Sequence, residues 1–252
     1  PFYFPGHLPN GHIVPALLAG NVVLFKPSEF TPGVAALMAE AWEEAGLPAG
    51  VLNLLHGARE TGGAILDSHG LAGVLFTGSA HTGALIHRKF AGRPDVILAL
   101  ELGGNNPLIV WPPVDAKAAA NLIVHSAFAT SGQRCSCARR LIVPQGADGD
   151  AIIAALAELT PHISVGPATQ TPEPFLGPLV NAASADRAVK FEQGLIAMGG
   201  KSIVPVKRDG AFVYPGVVDV TGLSPPDEEL FGPVLQVYRV TDFDHALDVA
   251  NA

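Results

Sequence analysis

Through the first hundred residues, short apolar runs alternate with stretches whose apolar positions recur at helical spacing. Residues 22–25, Val22-Val23-Leu24-Phe25, read as a buried strand. Thr31 and Pro32 then offer an N-cap and a first-turn proline for a helix to about Ala45, which Gly46 and Pro48 stop. The same reading predicts strands at 51–55, 73–76 and 96–100, with helices from about Glu60 and over 80–91. Nearly all-apolar strands alternating with helices predict a parallel sheet covered on both faces. The stretch Gly103-Gly104-Asn105-Asn106-Pro107 breaks the rhythm and predicts a domain boundary, placing one domain at 1–103 and another at 104–252. The second series predicts strand 108–110, helix 115–129, strand 140–143 and helix 149–159. A proline-rich connection at 161–178 leads to a helix at 182–198, ended by Gly199-Gly200. Strands at 201–206, 212–220 and 234–240 follow, and 243–251 reads as a further helix. The pattern describes an α/β fold.

Composition narrows the classes. The 252 residues carry 15 Lys+Arg against 23 Asp+Glu, a formal charge of −8, and no basic run. That balance argues against a nucleic-acid footprint or a polybasic membrane patch. No apolar stretch reaches the ~18 residues of a membrane span, since Gly20 and Asn21 interrupt the longest candidate. The only cysteines, Cys135 and Cys137, stand two apart, a spacing that suits neither a mutual disulfide nor a structural zinc site. Such economy fits a reducing compartment, and a cytoplasmic location is expected. The nine histidines form no metal-binding pattern, so no metal is expected. The chain starts at Pro1 without a Met and stops within a helix-like run. Both ends read as cut, and the expectation is an internal piece of a longer protein that aggregates or stays partly unfolded when expressed alone.

Several places could carry chemistry. Two glycine-rich turns, at 55–63 and 76–83, each stand between a strand and a helix. There, glycine lets backbone N–H groups approach a phosphate and the helix dipole favours an anion. Neither is a dinucleotide fingerprint or a P-loop, and Ser79 serves equally as a helix cap. Lys26 and Glu29, directly after a strand, could hydrogen-bond ribose or phosphate at a sheet edge, or form a solvated loop pair. Cys135, beside Arg134 in a Gly/Ser/Arg-rich loop, is the candidate nucleophile. The alternative is a small buried hydrophobe, which is how Cys137 reads. Glu101 closes an apolar strand, where a carboxyl in apolar surroundings would have the raised pKa of a general base; a strand-end salt bridge is the alternative.

Together these pieces resemble the NAD(P)-dependent aldehyde dehydrogenase superfamily across nearly the whole chain. The resemblance rests on five motifs in order: Phe25-Lys26-Pro27-Ser28-Glu29, Phe76-Thr77-Gly78-Ser79 with Gly83, Glu101-Leu102-Gly103-Gly104-Asn105, Gly132-Gln133-Arg134-Cys135, and Glu229-Leu230-Phe231-Gly232-Pro233. The runs Phe4-Pro5-Gly6-His7-Leu8-Pro9-Asn10-Gly11-His12 and Cys135-Ser136-Cys137-Ala138-Arg139-Arg140 look more narrowly like the N-succinylglutamate 5-semialdehyde dehydrogenases of arginine catabolism. The resemblance implies a parallel-sheet, Rossmann-type cofactor domain followed by an α/β catalytic domain, both incomplete. It implies that Cys135 attacks the aldehyde to give a thiohemiacetal and then a thioester, which water activated by Glu101 hydrolyses. The cofactor is expected to be NAD, because Glu29 would repel a ribose 2′-phosphate. Lys26, Ser28 and Glu29 would hold the adenosine ribose, and Gly78, Ser79, Ala80, His81, Thr82 and Gly83 would border the pyrophosphate. Glu229 would hold the nicotinamide ribose, with Phe231 near the ring. A small-molecule aldehyde is the implied partner, and the complete protein is expected to be a homo-oligomer.

One position departs from the family pattern. Pro1-Phe2-Tyr3-Phe4-Pro5 has Tyr3 where the family places an oxyanion-holding asparagine. A phenol projects farther than an amide, so slow turnover is expected. His7, His12 and Arg139 are candidates for the substrate's carboxylates, or are structural; Arg139 in particular could pair within the catalytic domain. Two other readings stay open: another semialdehyde dehydrogenase, or a catalytically impaired nucleotide-binding homologue.

Overall fold

A computed structural model describes every residue, Pro1–Ala252, and divides into two compact units, Pro1–Leu102 and Gly103–Ala252. The first unit runs α1 (His7–Leu18), β1 (Val23–Phe25), α2 (Pro32–Glu44), β2 (Leu52–Leu54), α3 (Arg59–Asp67), β3 (Gly73–Gly78), α4 (Ala80–Lys89) and β4 (Ile97–Leu102). Strand–helix alternation is as the pattern predicts, with parallel pairing throughout. The single covered sheet is not observed. Instead β1 pairs with β2, Val23 opposite Leu52, and β3 pairs with β4, Gly73 opposite Ile97 through Gly78 opposite Leu102. Each pair buries one face on its own helices. Phe25 packs with Ile13 of α1 and Ala35 of α2, while Val96, Ile86 and Phe90 form a second small core. The opposite strand faces, with Leu24, Leu75 and Ile97, are exposed.

Local chemistry sets the element ends. Ser79 accepts the Thr82 N–H through its hydroxyl and caps α4. His87, Arg88 and Lys89 occupy that helix's last turn, where the dipole favours cations. Thr31 stands at the N-cap of α2, but its side chain makes no cap bond and its hydroxyl is buried without a partner. Helix α1 was not foreseen, because Pro9, Gly11 and Pro15 argue against one. Pro9 falls in the first turn, where its missing N–H is harmless, and burial of Ile13 holds the helix in place.

The second unit comprises β5 (Pro107–Ile109), α5 (Ala116–Phe128), a 3-10 turn (Ala129–Gly132), β6 (Arg140–Pro144), α6 (Ala147–Leu159), α7 (Ala182–Ala197), β7 (Lys201–Val204), β8 (Lys207–Asp209), β9 (Phe212–Tyr214), β10 (Gly216–Asp219), β11 (Val234–Val240) and α8 (Phe243–Asn251). Its five-stranded sheet has the order β5-β6-β11-β10-β7, parallel except for the edge strand β7. The strand expected over 212–220 is two strands. Pro215 interrupts it, and β9 turns back to pair with β8. Asp115, Asn181 and Asp242 cap α5, α7 and α8 by accepting N–H groups three residues on. The largest of its buried clusters has Ile123, Phe128, Leu141, Leu156 and Leu235 fully enclosed, and smaller ones form around Leu179 and Val213, Ile142 and Val240, and Leu195 and Val218. No helix of either unit is long and apolar enough to cross a membrane.

Candidate active site

In the second unit the chain reaches Cys135 through an unusual path. Thr130, Ser131 and Gly132 are consecutive left-handed residues, with φ of 55°, 57° and 70°. A β-branched threonine there is strained, and such conformations persist only where surrounding bonds over-determine them. Those bonds are present. Ser131 Oγ donates to Gly177 O at 2.7 Å, the Val180 N–H donates to Gln133 Oε1 at 2.9 Å, and Arg134 Nε donates to Thr130 Oγ1 at 2.7 Å. Gly132 is required for space as well as for φ, because a Cβ there would lie 2.4 Å from Gly232 O. Beyond Cys135, Asn106 Nδ2 donates to Cys135 O at 2.7 Å and to Cys137 O at 3.0 Å. The loop is thus gripped on both sides of the cysteine.

The two thiols differ. Cys135 is half-exposed, whereas Cys137 is buried, points at Ala129 O, and has its pKa pushed up by burial. The buried thiol of Cys137 fits the structural part expected for it. Arg134, next to Cys135 in sequence, donates its Nε–H to Thr130.

Arg139 is only 2% exposed. Its terminal nitrogens donate to Gly132 O at 2.7 Å, Gly232 O at 3.3 Å, Arg134 O at 2.9 Å and Glu229 Oε1 at 3.3 Å. All four terminal N–H groups are engaged within its own unit, and the remaining Nε–H is buried without a partner. Glu229 also accepts the Gly104 N–H, and a Cβ at Gly103 would collide with its carboxylate. Burial pushes the Glu229 carboxyl up, while Arg139 pulls it down. Phe231 lies beneath the Arg139 guanidinium, 5.5 Å away. Glu229 and Phe231 thus both meet the Arg139 guanidinium.

In the first unit, Lys26 Nζ donates to Pro27 O at 2.6 Å and to Gly57 O at 3.1 Å, which ties the end of β1 to the glycine turn before α3. Ser28 Oγ accepts the Phe30 N–H, and Glu29 is exposed beside it. At α4 the Ser79 cap takes the Thr82 N–H, while Ala80 and His81, in the first turn where helix amides have no intrahelical partner, are exposed residues. A Cβ at Gly83 would meet the Leu102 methyls at 2.5 Å, so that side chain would have to shift. First-turn amides at a helix start and a lysine near a glycine turn are the donor set a dinucleotide's phosphates and ribose require, so these residues fit the group. A shallow groove of about 320 Å³ beside α4 touches Ala80 and Gly83 but not Lys26, Ser28 or Glu29.

One expectation is overturned, and two further residues have contacts that bear on their roles. Glu101 lies at the exposed end of β4, so the apolar surroundings expected for it are absent. His12, expected either to meet a substrate carboxylate or to be structural, bonds through Nε2 to Thr77 Oγ1 at 3.0 Å. Tyr3, at the position where an asparagine was expected, has its ring buried edge-on to Phe2 and Phe4. Asn106 and the grip of Arg139 on the loop were missed. The signal for Arg139 was a pair of arginines at the head of an apolar strand, which predicts buried cations in need of carbonyl partners.

The family model for the aldehyde dehydrogenase family matches residues 1–252. The chain belongs to the aldehyde dehydrogenase family. It is 58% identical over 256 residues to an N-succinylglutamate 5-semialdehyde dehydrogenase from Caulobacter sp., covering 100% of this chain and 52% of that protein. Among solved structures it is similar to 1-pyrroline-5-carboxylate dehydrogenase from Thermus with bound NAD, with 34% identity and a TM-score of 0.90 over 100% of this chain and 50% of that one. It is also similar to glyceraldehyde-3-phosphate dehydrogenase GapN from Methanocaldococcus jannaschii complexed with NADP, with 31% identity and a TM-score of 0.89 over 100% of this chain and 55% of that one. The chain spans about half the length of the curated relatives it matches. Membership in this family accounts for the α/β architecture and for the order of the five motifs.

Proposed function

We propose that the protein oxidises an aldehyde to a carboxylate with NAD, and that its substrate is N-succinyl-L-glutamate 5-semialdehyde. The observation that carries this reading is the half-exposed Cys135 on a strained loop whose carbonyls are held by Asn106 and Arg139. In the reaction, the Cys135 thiolate adds to the aldehyde carbon, forming a C–S bond and an alkoxide. NAD, when bound, would supply the hydride acceptor; loss of the hydride from the former aldehyde carbon, as the alkoxide re-forms a carbonyl, leaves a thioester on Cys135. Glu101 takes a proton from water, the hydroxide adds to the thioester carbon, and the C–S bond breaks to release the carboxylate and the thiolate. Lys26, Ser28 and Glu29 hold the adenosine ribose, the α4 N-terminus from Gly78 to Gly83 holds the pyrophosphate, and Glu229 with Phe231 holds the nicotinamide end. The exposed Glu29 carboxylate favours NAD, since a 2′-phosphate beside it would be repelled. The division of labour is a cofactor domain at 1–103 and a catalytic domain at 104–252, in a cytoplasmic homo-oligomer.

A second reading, a dinucleotide binder with impaired chemistry, is favoured by one observation, the buried Tyr3 in place of the family's asparagine. NAD reduction by the full chain separates the two. Succinylglutamate semialdehyde is expected to give a higher kcat/KM than simple aliphatic aldehydes. Cofactor binding without reduction by any aldehyde would leave only the binder.

A further inference from the structure

Arg139 brings a full positive charge into a place where 2% of its surface is exposed, with Glu229 as its one carboxylate partner. A buried cation of this kind rarely adds net stability over an apolar side chain of similar volume, so its geometry is the thing to explain. Its planar fork reaches two backbone segments. Gly132 O and Arg134 O lie just before Cys135, while Gly232 O and the Glu229 carboxylate belong to the loop ahead of β11. The Phe231 ring closes one face of the guanidinium. The same main chain that Arg139 grips passes through three left-handed residues and needs outside bonds to stay there.

We propose that Arg139 is a positioning residue that locks the backbone of the Cys135 loop to the Glu229 carboxylate, so that nucleophile and cofactor-side carboxylate are set in one rigid piece. The proposal deepens the dehydrogenase reading and rests on it for the role of Glu229. Two other roles fit less well. A substrate ligand needs an N–H within reach; the four terminal ones are used, and the unpartnered Nε–H is buried. A space-filling role does not call for a charge or for a fork that meets four acceptors.

The test uses Arg139→Gln, Arg139→Lys and Glu229→Gln in the full chain, each first checked for a cooperative melt. Two readouts follow: NAD affinity by cofactor fluorescence with KM against kcat, and the rate at which iodoacetamide alkylates Cys135. Arg139→Gln is expected to weaken NAD binding about tenfold and to shift the alkylation rate by a similar factor, the size expected for losing a charge-assisted bond. Arg139→Lys keeps the charge beside Glu229 but cannot span four acceptors. It should recover most of the NAD affinity while the altered alkylation rate remains. Adding Glu229→Gln to Arg139→Gln should cost less than the sum of the two single effects. If Arg139→Gln does not fold, the split in Arg139→Lys decides. Wild-type values of both NAD affinity and alkylation rate in a folded variant, whatever its melting temperature, would overturn the proposal. Absence of NAD binding by the unaltered protein would instead overturn the dehydrogenase reading, and the alkylation rates would still report on the loop.

Discussion

The two units hold their candidate residues by different means. In the second, a five-stranded sheet with a large enclosed core supports a loop whose carbonyls are bonded to Asn106 and Arg139. In the first, two strand pairs each carry a small core, and the candidate residues are placed by local devices: a serine cap, a lysine on neighbouring carbonyls and glycines where a Cβ would press on a neighbouring side chain. The difference matches the chemistry proposed. A nucleophile must sit within a fraction of an ångström of its target, so a buried and redundant support suits it. A dinucleotide brings many contacts of its own, and exposed amides at a helix start suffice to receive its phosphates.

The contrast can be broken at its weakest point, Tyr3 in the first unit. If an amide at this position is missing from oxyanion stabilisation, Tyr3→Asn should raise kcat by up to ~10²-fold in NAD reduction assays, with a lower melting temperature from the lost aromatic packing. An unchanged or lower kcat in a folded, NAD-binding variant would remove Tyr3 from the account. Packing should show the next largest effect. Leu141 is fully enclosed, so Leu141→Ala should cost about 2–5 kcal/mol by urea unfolding. Leu75, which is 44% exposed, should lose no more than about 0.5 kcal/mol on the same change. Equal losses would mean that the two units do not differ as described.

Smaller effects sharpen the picture further. Ser79→Ala removes the α4 cap and should destabilise by about 1 kcal/mol, read by urea unfolding and by reduced NAD affinity. Asp219, paired with Arg239 at 2.8 Å and hydrogen-bonded by the Thr221 N–H, has a pKa below its ordinary 3.8 against the opposing pull of burial. A carboxyl lowered by folding contributes stability that is fully present above its unfolded pKa. That contribution is lost as pH falls through the folded value. Asp219→Asn should therefore flatten the acid limb of the stability profile below about pH 4 and cost up to about 1 kcal/mol at neutrality, measured by melting temperature against pH.

Much of the fold was legible because apolar periodicity reports burial directly. Strand β11 and helix α8 fall where the pattern puts them, Val234–Val240 and Phe243–Asn251. Helix α1 was not legible, since its prolines and glycine signal a breaker while its stability comes from Ile13 packing on residues distant in sequence. Pro215 could have been read as a strand break, for it has no N–H to give a ladder. At the candidate site, residue types stood out but their partners did not. Nothing along the chain says that Arg139 meets Gly232 and Glu229, some ninety residues on. The exposed Glu101 shows the opposite limit, because apolar neighbours in sequence did not enclose it in space.

The central claim is that Cys135 forms the covalent bond to the substrate. In the full chain carrying Glu101→Gln, incubation with NAD and succinylglutamate semialdehyde followed by peptide mass analysis tests it directly. The account predicts an acyl mass on the peptide containing Cys135 and its disappearance in Cys135→Ala, together with loss of NADH formation. NADH formation that persists in Cys135→Ala, or an adduct found on another residue, would contradict it.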